Sequence, residues 1–153
     1  MKKYYLAYGS NLNIEQMRYR CPNAKILGTA EIKDYKLLFK GSKTGSYLTI
    51  EPEEGSTVPV AVWTVTEQDE RNLDRYEGYP DFYYKKEMTV EVTGIRTGAV
   101  SHKKAFVYIM DERRKPGIPS PYYLKTCIQG YATFGFPIKC LENAYNISME
   151  ESK

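Results

Sequence analysis

From Ala30 to Val65 the chain offers three β-rich runs in succession, AEIKDYKLLF, SYLTIEP and VPVAVWTV, separated by Gly, Ser and Pro clusters. β-Branched and aromatic residues at this density, punctuated by turn formers, predict strands. Tyr4, Leu6 and Tyr8 alternate with Tyr5 and Ala7 and predict another, mostly buried. YYKKEMTVEV and AFVYIM predict two more, joined across TGIRTG. Helical signals are short and scattered among these. Asn13 caps IEQMRYRC, with Gln16 at the capping-box position and Pro22 beyond its end. Thr66 caps a second helix, with Glu67, Asp69 and Glu70 in its first turn and Gly78 and Pro80 as its stop. Ser120 and Pro121 open a third, in which Leu124, Cys127, Ile128 and Tyr131 recur at helical spacing. PIKCLENAY predicts a fourth that frays from Asn146 onward. This order lacks the regular βαβ alternation of a doubly wound sheet. The class is α+β, with a mostly antiparallel, curved or closed sheet. The chain's 153 residues fit one domain over 1–153.

Charge and cysteine usage remove several functional classes. Lys and Arg number 22 against 19 acids, for a net charge of +3. The cations are scattered, with short clusters such as Lys85-Lys86, Lys103-Lys104 and Arg113-Arg114, so no stripe supports nucleic-acid binding. MKKYYLAYG reaches Gly9 five residues beyond its lysines, too short for a signal-peptide apolar region, and no run approaches the ~20 apolar residues of a membrane span. A cytoplasmic protein is expected. Cys21, Cys127 and Cys140 have no CxxC spacing and suit reduced thiols. The only histidine, His102, sits by two lysines in a turn-rich stretch, so neither a His triad nor a His-rich metal site is expected. No metal and no cofactor are expected. Tyrosine, at 15 residues, serves mainly core and rim, with a few left to line a polar pocket.

Two places carry chemistry. On the second helix Leu73 and Tyr76 predict a core-facing stripe, and Glu77, four residues after Leu73, falls near the same face. A carboxylate there lies in the last turn, where the helix dipole and partial burial both raise its proton affinity. Such a group works as a general acid or base near neutral pH. A solvated Glu at a helix end satisfies the same spacing. The stretch LAYGSNLN is the other place: a strand ends at Tyr8, Gly9 allows close backbone approach, and a helix begins about four residues later. That arrangement gathers unpaired N–H groups and a positive dipole end, fit for an anion or a developing oxyanion. It also occurs in turns that bind nothing.

YLAYGSNLNIEQMRYRCPNA, the segment LDRYEG within the second helix, and PSPYY at the start of the third, in that order and spacing, resemble the gamma-glutamylcyclotransferase-like superfamily from about Tyr4 to Pro137. The resemblance implies a small, mostly antiparallel, barrel-like mixed sheet flanked by short helices, with a pocket where the YGSN turn meets the glutamate. It implies release of 5-oxoproline from a small-molecule gamma-glutamyl substrate, the substrate's own α-amine attacking its γ-carbonyl. Glu77 would transfer the proton, and Tyr8, Gly9, Ser10 and Asn11 would bind and polarise substrate, with Leu12 bordering them. Tyr123 matches the family's substrate-contacting tyrosine. Tyr84 joins it because it shares strand parity with Met88, Val90 and Val92 and so faces inward, whereas Tyr83 faces away. Pocket size is expected to depend on the loops Gly41 to Ser46 and Asp111 to Ser120.

The chemistry of cyclisation agrees with this residue set. Closing a five-membered ring within one molecule needs orientation, a base and oxyanion donors, and no enzyme nucleophile. Two other readings use the same residues: a non-catalytic protein holding an amino-acid-like ligand in this pocket, and a barrel stacking nucleic-acid bases on its tyrosines. Retention of Glu77 weighs against the first and the scattered cations against the second. Oligomeric state is not legible.

Overall fold

The computed structural model describes residues 2–42 and 45–152. Five strands close a mixed barrel: β1 (Lys3–Ala7), β2 (Lys25–Ser42), β3 (Gly45–Val65), β4 (Tyr83–Gly94) and β5 (Val100–Met110). Around the barrel the order is β3, β1, β5, β4, β2, and β2 pairs back onto β3. All neighbours are antiparallel except β1 and β5, which meet in parallel at Tyr5 and Phe106. A two-residue β6 (Lys115–Pro116) extends the far end of β2. The helices are α1 (Ile14–Arg20), α2 (Glu67–Glu77), α3 (Pro121–Phe134) and α4 (Lys139–Glu151). Among them none is long and apolar enough to cross a membrane.

SYLTIEP and VPVAVWTV, expected as separate strands, form one strand of 21 residues. The acidic cluster between them loops out as a bulge: the pairing of Lys33 with Thr57 jumps to Tyr35 with Pro52. Asp34, at φ 63°, faces the bulge and accepts a hydrogen bond from the Gly55 N–H at 3.0 Å. The ladder on either side outweighs the local turn signal, so Gly55 becomes a bulge residue instead of a hairpin corner. The expected pocket loop Gly41 to Ser46 is largely the tip of this β2/β3 hairpin, and its Lys43 and Thr44 lie outside the described residues.

The barrel closes narrowly. β2 and β4 pair only at Gly28 with Gly94 and Thr29 with Thr93. A Cβ on Gly28 would stand 2.0 Å from the Thr93 carbonyl oxygen, inside any permitted contact. Gly28→Ala therefore pries this seam apart, and we expect it to cost about 1–3 kcal/mol, the usual range for overpacking, read as a lower Tm. An unchanged Tm would show that the seam contributes nothing.

α4 departs from expectation at its end, since the helix runs on through Asn146 to Glu151. Its reason is a strand edge: beyond the short β2/β4 seam the Phe39 N–H has no strand partner, and it donates to Ser148 Oγ at 2.9 Å. Leu141, Ala144 and Ser148 face that way and are buried. His102 also departs, lying on β5 opposite Glu91 instead of in a turn, with its side chain 70% exposed. On α3, Cys127 and Tyr131 are fully buried, whereas Ile128 is exposed.

Candidate active site

Two chain segments bring the predicted turn and glutamate to one cavity of about 480 Å³. The first is the turn after β1. Gly9 starts a single 3-10 turn, Ser10–Leu12, closed by Leu12 N–H donating to the Gly9 carbonyl and Asn13 N–H to that of Ser10. Asn13 then caps α1, its side chain accepting from the Gln16 N–H at 3.2 Å. The Gln16 side chain does not complete a capping box; its Oε1 accepts from Arg20 Nη2 at 2.8 Å. Gly9 has φ −126°, so the left-handed backbone is not its purpose. A Cβ there would meet Tyr123 Oη at 3.2 Å and Leu48 Cβ at 3.5 Å: the turn presses backbone against the cavity wall.

The second segment is the end of α2. Thr66 and Asp69 form a reciprocal capping box at its start, and Gly78, at φ 66°, terminates it in the left-handed conformation. Lys85 of β4 pairs with Glu70 at 2.8 Å and Asp74 at 2.9 Å, and the Tyr108 hydroxyl donates to Asp74 at 2.6 Å. These contacts and buried Leu73 dock the helix on the β4/β5 face and fix where its last residue, Glu77, projects. Tyr76 is not the core anchor its spacing predicts. It is 45% exposed, and Arg20 of α1 lies over its ring at 3.5 Å.

Glu77 keeps partial solvent access, yet the tyrosines around it withdraw water from its carboxyl group. Burial pushes its pKa up to about 8, against the opposing charge of Arg20, and no hydrogen bond from the described residues offsets that burial. The same burial, with the Glu77 charge nearby, drives the hydroxyls of Tyr5, Tyr8, Tyr83 and Tyr123 well above the ordinary tyrosine range. The cavity therefore has one carboxyl able to exchange a proton near neutrality, inside walls of neutral hydroxyl groups.

Of the residues selected from sequence, Tyr8, Gly9, Ser10, Asn11, Glu77 and Tyr123 all line this cavity. Leu12 and Tyr84 do not. Leu12 is fully buried beneath the turn, so close to α3 that a Cβ on Gly130 would lie 2.6 Å from its own Cβ. Tyr84 shares its strand face with Val90 and Val92, both buried, as the alternation predicts. The cavity is on the opposite face, where Tyr83 lies 6% exposed and donates to the Leu48 carbonyl at 2.7 Å. Tyr84 instead donates to the Glu112 carboxylate. Parity could not choose between them, because the Tyr83 face of β4, exposed at Glu87, Thr89 and Glu91, is covered at its start, where Lys85 meets Glu70 and Asp74 of α2.

Arg20, Arg75 and Arg114 carry no distinguishing signal in the sequence. Arg75 and Arg114 line the cavity, and the Arg114 guanidinium sits over the Phe82 ring at 4.4 Å. The buried thiols of Cys21 and Cys127 are pushed up to about 12 by burial and are unsuited to nucleophilic attack.

Comparison with known proteins places this geometry. Residues 5–125 match the family model "Gamma-glutamyl cyclotransferase, AIG2-like". The chain is 30% identical to the Bos taurus gamma-glutamylcyclotransferase over 97% of its length and 80% of that protein. With the Homo sapiens gamma-glutamylcyclotransferase it shares 31% identity over 90% of its length and 74% of that protein. A solved structure of a gamma-glutamyl cyclotransferase superposes with a TM-score of 0.79 at 28% identity, covering 94% of this chain and 86% of the other. The YGSN turn, the buried-face glutamate and the barrel that joins them thus stand in a chain that belongs to the gamma-glutamyl cyclotransferase, AIG2-like family and is an enzyme of that type.

Proposed function

We propose that this enzyme converts a small gamma-glutamyl compound into 5-oxoproline and a free amine or amino acid. The observation that carries the reading is Glu77: a carboxyl whose proton affinity is raised to the neutral range, in a cavity shared with the Gly9–Asn11 turn. The substrate's α-ammonium group gives a proton to the Glu77 carboxylate, and the freed amine attacks the γ-carbonyl carbon. A C–N bond forms as the carbonyl oxygen takes up negative charge. N–H groups at the start of the Ser10–Leu12 turn, which precede its first closed hydrogen bond, and the un-ionised tyrosine hydroxyls stabilise that charge. Glu77 then returns its proton to the departing nitrogen as the original amide bond breaks, and the ring nitrogen gives up its second proton to the released amine. Holding amine and carbonyl in a near-attack geometry supplies much of the rate, since both belong to one molecule.

The cations at the cavity favour an anionic substrate. Arg75 and Arg114 line it, neither is ion-paired among the described residues, and Glu77 is the only acidic side chain in the wall. The substrate's α-carboxylate suits such a site, and a second carboxylate on the leaving group suits it further. Three free thiols, two of them buried, fit a cytoplasmic setting.

A panel of gamma-glutamyl compounds, each with a free or an acetylated α-amine, tests the reaction. The free-amine compounds should yield 5-oxoproline and the acetylated ones nothing, because an amide nitrogen is too weak a nucleophile. Glutamate as the main product would replace cyclisation with hydrolysis. No product from any compound would leave a binding protein.

A further inference from the structure

We propose that Arg20 is a positioning residue of this site, tying the Ser10–Asn11 turn to the Tyr76–Glu77 helix end so that oxyanion donors and base keep a fixed relation. The proposal rests on the cyclisation reading above. Arg20 is the last residue of α1, two residues before Pro22, and its guanidinium is spread across both segments. Nη1 donates to Asn11 Oδ1 and, at 3.4 Å, to Ser10 Oγ. Nη2 donates to Gln16 Oε1, which anchors the group to its own helix. Its plane rests 3.5 Å from the centre of the Tyr76 ring, and the Tyr76 hydroxyl lies 3.3 Å from Ser10 Oγ. The Arg20 carbonyl also accepts from Asn72 Nδ2 of α2 at 3.1 Å.

A half-buried cation with this many neutral partners and, among the described residues, no carboxylate in contact is unusual, because an arginine fork is normally matched to an acid. Here the charge that balances it across the site is that of Glu77, which Arg20 holds below the value burial alone would give. Tyr5 and Tyr8 from β1, Tyr83 from β4, Tyr108 from β5 and Tyr123 from α3 contribute neutral hydroxyls around Glu77. Arg75 and Arg114 are the cations of the cavity wall itself, with Tyr76 alongside, and Arg20 lies behind Tyr76. Arg20 is thus both a geometric clamp and a fixed charge, and two substitutions separate these roles.

Arg20→Lys keeps the charge but has neither the fork nor the flat surface for Tyr76. Its kcat should fall at least ~10-fold, short of the ~10²–10³-fold of outright oxyanion-donor loss, while the acid limb of its pH profile stays where wild type has it. Arg20→Gln removes the charge as well, so its kcat should fall further and its acid limb should move to higher pH. Wild-type kcat in Arg20→Lys, or an unmoved limb in Arg20→Gln, would overturn the proposal. Should either variant fail to fold, Tyr76→Leu removes the shelf under the guanidinium, and wild-type kcat there would overturn it equally. Following the Glu77 carboxyl carbon by NMR titration in wild type and Arg20→Gln reads the charge effect without turnover. A wild-type enzyme that released no 5-oxoproline would discard the reaction, and an unmoved Glu77 titration in Arg20→Gln would still overturn the charge role of Arg20.

Discussion

Glu77→Gln lowers kcat by at least the ~10²-fold typical of losing a general base, in a protein that remains folded. Glutamine matches the shape of glutamate and leaves the cavity walls in place, so substrate binding should change far less than turnover. In wild type the kcat/KM profile should rise as the pH passes about 8, where the buried carboxyl gives up its proton. The variant should lack that limb. Stability gives a second reading of the same group. Folding raises the proton affinity of Glu77, so above the ordinary carboxylate range the unfolded chain has released a proton that the folded state keeps up to about pH 8. Stability then falls as pH rises through that window. Glutamine has no proton to lose, and Glu77→Gln should melt no lower than wild type at pH 8. Each kcal/mol recovered would raise Tm by about 2–4 °C in a chain of this size. Wild-type turnover in purified Glu77→Gln would assign the proton transfer elsewhere.

Gly9→Val should abolish measurable substrate binding along with turnover. The reason is space, not backbone conformation, since Gly9 does not occupy the left-handed region. Its first added carbon would lie 3.2 Å from Tyr123 Oη, and the two methyls beyond it enter the cavity or displace that ring. Displacing Tyr123 would also break the hydrogen bond by which the Leu48 N–H, at 3.0 Å, holds its hydroxyl. Gly9→Ala should lie between wild type and valine, because one carbon at that distance needs only a few tenths of an ångström of give. KM and kcat for the series measure this, and unchanged kinetics in Gly9→Val would make the turn purely structural.

The local signals in this chain were sufficient wherever the deciding partner lay within a few residues. Asn13, Thr66 and Ser120 cap the helices that follow them, because each cap bond spans three residues. Gly78 ends α2 for the same local reason. The YGSN turn, LDRYEG and PSPYY identified the family through residue order alone, and Gly9, Glu77 and Tyr123 meet in one cavity as that order implied. Where the deciding partner came from another part of the chain, the sequence was silent or misleading. α4 continues past Asn146 because a strand edge more than a hundred residues earlier needs Ser148. Tyr83, not Tyr84, reaches the cavity because the otherwise exposed face of β4 is covered at its start, where Lys85 meets α2, and alternation carries no record of such local cover. Arg20 reads as an ordinary basic residue at a helix end until tertiary packing sets it against Asn11 and Tyr76. The sequence by itself determined which elements form, where they stop and which family they build; only the tertiary structure decided which side chains lose their water, and it is that loss, set by neighbours distant in sequence, that raises the proton affinity of Glu77.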